Sequence, residues 1–244
     1  MEKKELIYGR NPVYEHLRSG VSPESRVYIS DSAHGKIIDR ITDAARAAGI
    51  PVEKKPKPFF RNIDSSSRHQ GVVLETSRVR VSRNSGPETF ARIKEKKGVI
   101  VLLDHINDPR NAGSIIRSAE ALGADAVALT ETGSAPLSPA AVKASAGAVS
   151  HIEIIKIKNI RAFIEKMKDE GFWIIGASEK GSSGLTEIKN YRPCVIIIGN
   201  EAAGIKKLVS EKCDLIVSIP MKGKISSLNA SVAAGIILYS ALSE

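Results

Sequence analysis

The sequence is poor in aromatic residues and in cysteine. Phe, Trp and Tyr make up 5% of the chain, so base stacking can contribute little to any contact with nucleic acid, and phosphate and shape contacts should matter more. The two cysteines, Cys194 and Cys213, are too few for a disulfide framework and lack the spacing of metal ligands. We therefore expect two small buried thiols and no bound metal.

Long apolar runs are also absent. No stretch approaches the length of a membrane span, and the charged start of the chain is not followed by the apolar region of a signal peptide. We expect no membrane partner and a cytoplasmic location. The 244 residues, 42% of them hydrophobic, suffice for one large domain or two ordinary ones with ample core.

The common phosphate-binding loops are missing as well. No Gly-x-Gly-x-x-Gly follows a predicted strand, and the glycine-rich stretch 199–204 lacks the Lys-Ser/Thr that completes a P-loop. A dinucleotide-binding or P-loop protein is therefore a weak interpretation.

The net charge of +9 is concentrated in the middle of the chain. Residues 77–98 contain 7 basic and 2 acidic residues, whereas residues 99–244 contain 16 and 15. A basic segment between two domains suits a polyanion such as RNA, although a solvated face is the more common reason for such a run.

Strand-like apolar runs alternate with helical patterns throughout, which predicts an α/β protein. Residues 1–76 form a compact α/β unit, residues 77–98 a basic linker followed by a helix, and residues 99–244 a second domain with a mostly parallel sheet. In the second domain we predict helices over Ala112–Leu122 and Ala140–Ala148. The closing helix, Ala230–Leu242, has Ser227 or Asn229 as its cap and is apolar almost all round, so it is buried by its own core or by a second subunit.

Two strands near the end of the chain terminate in loops. The β-branched run Val195–Ile198 precedes Gly199–Gly204, and the strand Leu215–Ile219 halts at Pro220. Ligands of open α/β sheets bind at the carboxyl ends of strands, where both loops would lie. Spacing alone would equally allow two ordinary tight turns.

Three ordered motifs decide between these interpretations. They are Asn-x-Gly-x-x-x-Arg at 111–117, Gly-x-Glu-x-x-Gly at 199–204, and Ile-Pro-Met-x-Gly with Ser-Leu-Asn at 219–229. Over about its last 145 residues the chain resembles the SpoU/TrmH RNA ribose 2′-O-methyltransferases. The size of the leading unit, with Gly9-Arg10-Asn11 and His69-Gln70-Gly71, extends the resemblance to the RlmB-like branch, which methylates a guanosine of 23S-type ribosomal RNA.

The resemblance implies more than the residues alone show. The leading unit would be an RNA-binding domain similar to ribosomal protein L30, and the second domain would be a SPOUT fold whose carboxyl-terminal segment passes through a preceding loop in a deep trefoil knot. Family members form homodimers through the carboxyl-terminal domain. Their methyl donor is S-adenosyl-L-methionine.

The resemblance also implies the site residues. Those expected to act in catalysis are Asn111, Arg117, Glu201, Ser227 and Asn229. Those expected to hold the cofactor are Thr130, Gly133, Gly199, Asn200, Glu201, Ile219, Met221 and Leu228. Those expected to contact RNA are Arg10, Arg68, His69 and Arg110.

The expected roles follow from the chemistry of each group. A guanidinium pKa of roughly 13 makes Arg117 a poor base, so it should hold an RNA phosphate and stabilise the developing alkoxide, with Asn111 fixing it. Ser227 should orient the hydroxyl, and Glu201 should position these groups or take the proton. Taken alone, Glu201 would be an acid at a helix amino terminus and Asn229 a cap, while His105 and His151 are expected to be structural.

Two other functions are compatible with the sequence. A transfer-RNA methyltransferase would use the same chemistry, although such members more often lack a full leading domain. A noncatalytic RNA-binding protein could keep the fold alone. The intact set of polar motif residues argues against the noncatalytic alternative.

Overall fold

The computed structural model describes residues 5–63, 69–76, 86–131, 137–179, 181–200, 204–224 and 227–243. Its first unit is a four-stranded sheet with three helices. The strands are β1 Glu5–Tyr8, β2 Arg26–Ser30, β3 Val52–Lys55 and β4 Val72–Thr76, and the helices are α1 Arg10–Arg18, α2 Lys36–Ala47 and α3 Lys57–Ile63.

The sheet of this first unit is mixed. Its order is β1-β4-β2-β3, in which β4 runs antiparallel to both neighbours and β2 pairs with β3 in parallel. Helices α1 and α2 cover one face through residues such as Val13 and Ile41, and α3 covers the other with Phe60. The expected compact α/β unit is confirmed.

The second unit follows α4, Pro87–Glu95, and alternates strands with helices. Its strands are β5 Val99–Leu103, β6 Ala126–Thr130, β7 Glu153–Ile157, β8 Trp173–Ala177, β9 Cys194–Ile198 and β10 Leu215–Val217. Its helices are α5 Pro109–Ala121, α6 Pro139–Ala144, α7 Ile160–Asp169, α8 Lys207–Ser210 and α9 Ala230–Leu242, with short 3-10 helices at Ala148–Ser150 and Leu185–Asn190.

The second sheet is parallel throughout, in the order β10-β8-β9-β5-β6-β7. The central strands β5, β6 and β9 are buried along their whole length, which explains their continuous apolar sequences. Helices α5 and α9 pack on one face of the sheet, and α4 and α7 pack on the other. Strands β5 and β9 each have a hydrogen-bonded partner strand on both sides.

Three boundaries differ from the sequence predictions. Helix α5 begins three residues early, at Pro109, because Asp108 caps it and Pro109 occupies the first turn. The predicted helix 140–148 is wrong beyond Ala144, since Ala146 and Gly147 have φ angles of 52° and 99° and the chain turns into a 3-10 helix. Strand β10 ends at Val217, where its only neighbour, β8, also ends.

Helix α1 joins the two units. Its His16 is buried and lies 2.7 Å from the hydroxyl of Ser150, while Glu15 lies 3.0 Å from the imidazole of His151. A Cβ on Gly147 would come within 2.6 Å of the Glu15 Cβ, so the backbone of the second unit presses directly on this helix. One hydrophobic cluster includes residues of both units. The first unit is thus packed against the second through a defined interface.

Within the described residues, no helix combines the length and apolarity that a bilayer span requires.

Candidate functional site

The three motifs meet at one edge of the second sheet. Strands β5, β6 and β9 run in parallel and end at Leu103, Thr130 and Ile198. Since β5 lies between β6 and β9 and neighbouring strands are about 4.8 Å apart, these three ends lie within roughly 10 Å. The segments that follow them share the carboxyl edge, where ligands of parallel sheets bind.

The loop after β9 is closed by its glycines. Asn200 and Gly204 exchange backbone hydrogen bonds of 3.0 and 2.8 Å, which bring these two residues side by side. A Cβ on Gly199 would lie 2.2 Å from the backbone carbon of Gly204, so no larger residue fits there. Gly204 itself has a φ of 64°. These two requirements account for the glycines of Gly-x-Glu-x-x-Gly, whose Glu201 lies outside the described residues.

The segment after β10 crosses this edge. Strand β10 is at one border of the sheet, yet α9 begins beside α5, which follows the central strand β5. The chain therefore leaves the border strand after Val217 and reaches the middle of the same edge at Asn229. Asn229 ends the crossing as the cap of α9, accepting hydrogen bonds from the backbone of Ser231 and Val232, and Ser227 is exposed two residues before it. Of the two predicted caps, Asn229 is the correct one.

Helix α5 brings Asn111 to the end of this crossing. The side-chain nitrogen of Asn229 donates to the side-chain oxygen of Asn111 over 3.1 Å. Gly113, the central residue of Asn-x-Gly-x-x-x-Arg, lets α6 approach, because a Cβ there would lie 2.3 Å from the carbonyl oxygen of Ala141. The motif glycine is therefore required for the packing of α5.

Two arginines point outward from one face of α5. Arg110 and Arg117 are both exposed and seven residues apart, so they lie on the same side of the helix about 10 Å from one another. Arg117 has no hydrogen bond or ion pair with any residue that the structure describes. Asn111 accepts a hydrogen bond from Asn229, and its expected role in fixing Arg117 stays a prediction. The two guanidinium groups are available to an anionic partner.

The other predicted cofactor residues lie along the same edge. Thr130 is buried at the end of β6, Ile219 is half-buried, and Gly133 falls outside the described residues. Met221 and Leu228 are 39% and 36% exposed in an otherwise polar segment.

A separate basic pocket lies in the first unit. It has a volume of about 270 Å³ and includes the side chains of Arg10, Lys57, Arg61 and His69 but no carboxylate among the described residues that line it. The Arg10 side chain is held by the carbonyl oxygens of Gln70 and His34 at 3.2 and 3.4 Å. The ring of His69 stacks on buried Phe60. Arg68 lies outside the described residues.

Sequence reasoning missed one polar cluster at the main site. Asp104, His105 and Lys206 contact one another at the carboxyl edge, with the His105 ring between the other two side chains. His105 and Lys206 are 101 residues apart, and no local pattern connects them. The only signal in the sequence is the polar pair Asp104-His105 directly after a buried strand. Among the described residues no group of His, Cys, Asp or Glu is arranged to hold a metal ion.

Comparison with known proteins matches both units. Residues 98–239 match the SpoU rRNA Methylase family, and residues 6–82 match the family described as RNA 2′-O ribose methyltransferase substrate binding. A relative from Staphylococcus saprophyticus, whose name describes a TrmH family tRNA/rRNA methyltransferase, is 35% identical over 96% of this chain and 93% of its own.

Solved structures agree with these matches. The SpoU methyltransferase AviRb from Streptomyces viridochromogenes, in complex with AdoMet, has a TM-score of 0.78 and 25% identity, covering 98% of this chain and 89% of its own. An AdoMet-bound rRNA methyltransferase from Sinorhizobium meliloti has a TM-score of 0.74 and 25% identity, covering 98% and 86%. The TrmH/SpoU tRNA modifying enzyme of A. aeolicus has a TM-score of 0.53 and 29% identity, covering 64% and 81%.

The fold and the site therefore define an α/β methyltransferase of the SPOUT class, with an RNA-binding unit ahead of it. The chain belongs to the SpoU/TrmH family of RNA methyltransferases, which modify ribose 2′-hydroxyls, and its methyl donor is S-adenosyl-L-methionine. The fold class, the enzyme class and the cofactor predicted from the sequence are confirmed.

Proposed function

We propose that this enzyme methylates the ribose 2′-hydroxyl of a guanosine in 23S-type ribosomal RNA, in the cytoplasm. The carrying observation is that the first unit is complete and packed against the second. The rRNA methyltransferase of S. meliloti matches 98% of the chain, whereas the tRNA modifying enzyme of A. aeolicus matches 64%. The specificity of the proposed reaction therefore depends on the first unit, which would recognise the RNA.

The proposed donor site lies between the loop after β9 and the crossing segment. Backbone groups of Gly199, Asn200 and Ile219, with the side chains of Met221, Leu228 and Thr130, would hold S-adenosyl-L-methionine, and Gly133 and Glu201 would complete the site. When bound, this group supplies a methyl carried by a positively charged sulfonium. Its reactivity is intrinsic, so the protein has to align the acceptor and help it lose a proton.

The acceptor side is assigned to α5 and its partner. Arg110 and Arg117 would each bind a backbone phosphate, and the exposed Arg117 would also stabilise the negative charge that develops on the ribose oxygen. Ser227 would orient the hydroxyl, and Glu201 would position these groups or accept the proton. Asn111 and Asn229 hold α5 against α9 and so would set the distance between the two substrates.

Label transfer tests this proposal. The protein is incubated with radiolabelled S-adenosyl-L-methionine and, separately, with unmodified 23S-type ribosomal RNA and transfer RNA. We expect label in ribosomal RNA alone, mapped to one 2′-O-methylguanosine. The Arg117→Ala variant should lower the transfer by about 100-fold to 1000-fold. The matched control is Arg161→Ala, which removes an exposed arginine on α7. Label in transfer RNA alone would contradict the proposal, and so would RNA binding without any transfer.

The basic pocket of the first unit is assigned to RNA binding. Arg10, Lys57 and Arg61 provide positive charge, and none of the described residues that line the pocket is acidic. The ring of His69 is backed by Phe60 and offers a stacking surface. Arg68 would add to this set. We expect Arg61→Ala to raise the KM for RNA and to leave the affinity for S-adenosyl-L-methionine unchanged. The slope of the logarithm of the RNA-binding constant against the logarithm of the salt concentration should be smaller by about one. The exposed Arg46 on α2 is the control, and an equal effect of Arg46→Ala would contradict the assignment.

The exposed face of α9 supports a homodimer. The side chains of one face of α9 are apolar and follow one another at helical spacing: Val232, Ile236 and Tyr239 are 50%, 39% and 64% exposed. Such a row is unusual on the solvent-exposed surface of a monomeric protein. Sedimentation should show a dimer that Ile236→Glu converts to a monomer, whereas Leu208→Glu on α8, equally apolar and exposed, should not. A monomeric parent protein would refute the dimer.

The knot belongs to the same proposal. The chain leaves the sheet at its border strand β10 and returns to α9 beside the central strands. This course is compatible with the trefoil topology of the family.

The proposed domain boundaries at residues 76 and 98 are supported by the end of β4 at Thr76 and the start of β5 at Val99.

A further inference from the structure

The loop after β9 is tied to the loop after β5 at three points. The backbone nitrogen of Asp104 donates to the carbonyl oxygen of Ile198 over 2.9 Å. The side-chain nitrogen of Asn200 donates to the carbonyl oxygen of His105 over 2.8 Å, and the backbone nitrogen of Lys206 donates to Oδ2 of Asp104 over 3.3 Å. The attachments lie on both sides of residues 201–203, so both ends of that stretch are fixed to β5.

The imidazole of His105 completes these attachments. Its Nδ1 lies 2.5 Å from Oδ1 of Asp104, which is fully buried, and its Nε2 lies 2.9 Å from Nζ of Lys206. A lysine ammonium can only donate, so Nε2 accepts its hydrogen bond and Nδ1 carries the ring proton that is donated to Asp104. The three side chains form a chain of hydrogen bonds from a buried carboxylate to an exposed ammonium.

The backbone of His105 is strained. Its φ of 58° lies in the left-handed region, which glycine adopts freely and a side chain with a Cβ does not. A turn that only had to reverse the chain would be easier to form with glycine. Strained residues persist where their surroundings hold them, and they cluster at functional sites. Here the surroundings are Asp104 and Lys206.

We propose that His105 is a positioning residue for methyl-donor binding. With Asp104 and Lys206 it holds Asn200 and the backbone of Lys206 against the end of β5, so that the donor-binding surface at Gly199 and Asn200 is formed before S-adenosyl-L-methionine arrives. Preorganisation of this kind raises affinity because the loop loses less freedom on binding. The inference rests on the proposed assignment of residues 199–204 to the donor site.

The substitution His105→Gly separates positioning from folding. Glycine relieves the strained φ and removes the ring, so a purely structural His105 would give a variant at least as stable as the parent that binds S-adenosyl-L-methionine equally well. A positioning His105 would give the same stability but a Kd for S-adenosyl-L-methionine higher by about ten-fold, the cost of one charged hydrogen bond. Calorimetric titration measures the Kd, and thermal unfolding measures the stability.

Two further variants make the comparison specific. Asn tolerates the left-handed region and keeps a polar side chain, so His105→Asn should recover a large part of the affinity. Lys206→Met should weaken donor binding, whereas Lys207→Met, its exposed neighbour in α8, should leave the affinity unchanged. In steady-state assays the KM for S-adenosyl-L-methionine should rise in His105→Gly while the KM for RNA stays constant.

The outcomes separate this inference from the proposed function. Unchanged donor affinity in His105→Gly would overturn the inference, as would a loss that simply follows a lower Tm. The titration requires no RNA. If the parent protein binds S-adenosyl-L-methionine and methylates no ribosomal RNA, the proposed substrate is wrong and the role of His105 is still decided by the Kd values.

Discussion

The side-chain amide of Asn229 donates to the side-chain oxygen of Asn111 over 3.1 Å, across 118 positions of sequence. The bond joins the first turn of α9 to the first turn of α5, and each residue belongs to a different motif. Asn229 has a second task, because its oxygen caps α9. Asn111 and Asn229 therefore maintain the geometry of the site.

Substitution of Asn229 by serine should separate these two tasks. Serine caps helices as well as asparagine, so the free energy of unfolding should change by only about 0.5 kcal/mol, while the donor to Asn111 is lost. We expect lower methyl transfer from Asn229→Ser without a fall in Tm. A double-mutant cycle with Asn111→Ala should yield a coupling energy of about 0.5–3 kcal/mol in the transfer rate, and strict additivity would show that the contact is irrelevant.

Arg117 should affect the reaction and not the fold. Its side chain is exposed, so Arg117→Ala should change the free energy of unfolding by less than about 0.5 kcal/mol. The turnover number should fall by about 100-fold to 1000-fold if the guanidinium stabilises the alkoxide. Arg117→Lys should restore little, because lysine lacks the planar two-donor geometry. Wild-type turnover in Arg117→Ala, measured at saturating RNA, would exclude this role.

Gly113 should be intolerant of any side chain. A Cβ there would overlap the carbonyl oxygen of Ala141 at 2.3 Å and the Cβ of Ala144 at 2.7 Å, so Gly113→Ala should destabilise the protein by about 1–3 kcal/mol. Gly235 is the matched control in α9, since its Cβ would meet only the Ser118 hydroxyl at 3.8 Å. Gly235→Ala should be neutral or stabilising by up to about 1 kcal/mol, as helix propensity predicts. Denaturant unfolding of both variants measures the difference.

The two thiols should be unreactive in the folded protein. Burial raises the pKa of Cys194 and of Cys213 to about 12, so almost no thiolate is present near pH 8. An aromatic disulfide reagent should label neither cysteine until denaturant is added, when both react. Because each folded pKa lies above the unfolded value of about 8.5, stability should fall as the pH rises from about 9 towards 12. Rapid labelling of the native protein would contradict this prediction.

The central strands could be predicted because nearly all of their consecutive residues are apolar. The predicted strand Val195–Ile198 differs from the observed Cys194–Ile198 by one residue, since a strand covered on both faces has a continuous apolar sequence. The break after Ala144 could not be predicted in this way. Gly147 lies so close to Glu15 of the other unit that a Cβ there would come within 2.6 Å of the Glu15 Cβ, and a helical pattern carries no information about such a distant contact.

The residues of the site also fall into those that a local motif identifies and those that only the fold brings together. Asn111, Gly199 and Asn229 belong to motifs that could be recognised, and the structure supplies the reasons for the glycines. The chain from Asp104 through His105 to Lys206 joins residues 101 positions apart and depends on where β9 lies in the sheet. His105 was expected to be structural, and its contact with Lys206 could not be predicted because the order of two strands in the sequence does not show that they are neighbours in the sheet.

Helix α1 has a consequence for the choice of target. Its first residue, Arg10, lines the basic pocket. Its Glu15 and His16 contact His151 and Ser150 of the second unit. A helix rises about 1.5 Å per residue and resists compression, so this short segment would set the distance between the proposed RNA-binding pocket and the proposed methylation site. An RNA would then be selected by the spacing of two of its features, and a substrate with one base inserted between them would present the wrong ribose.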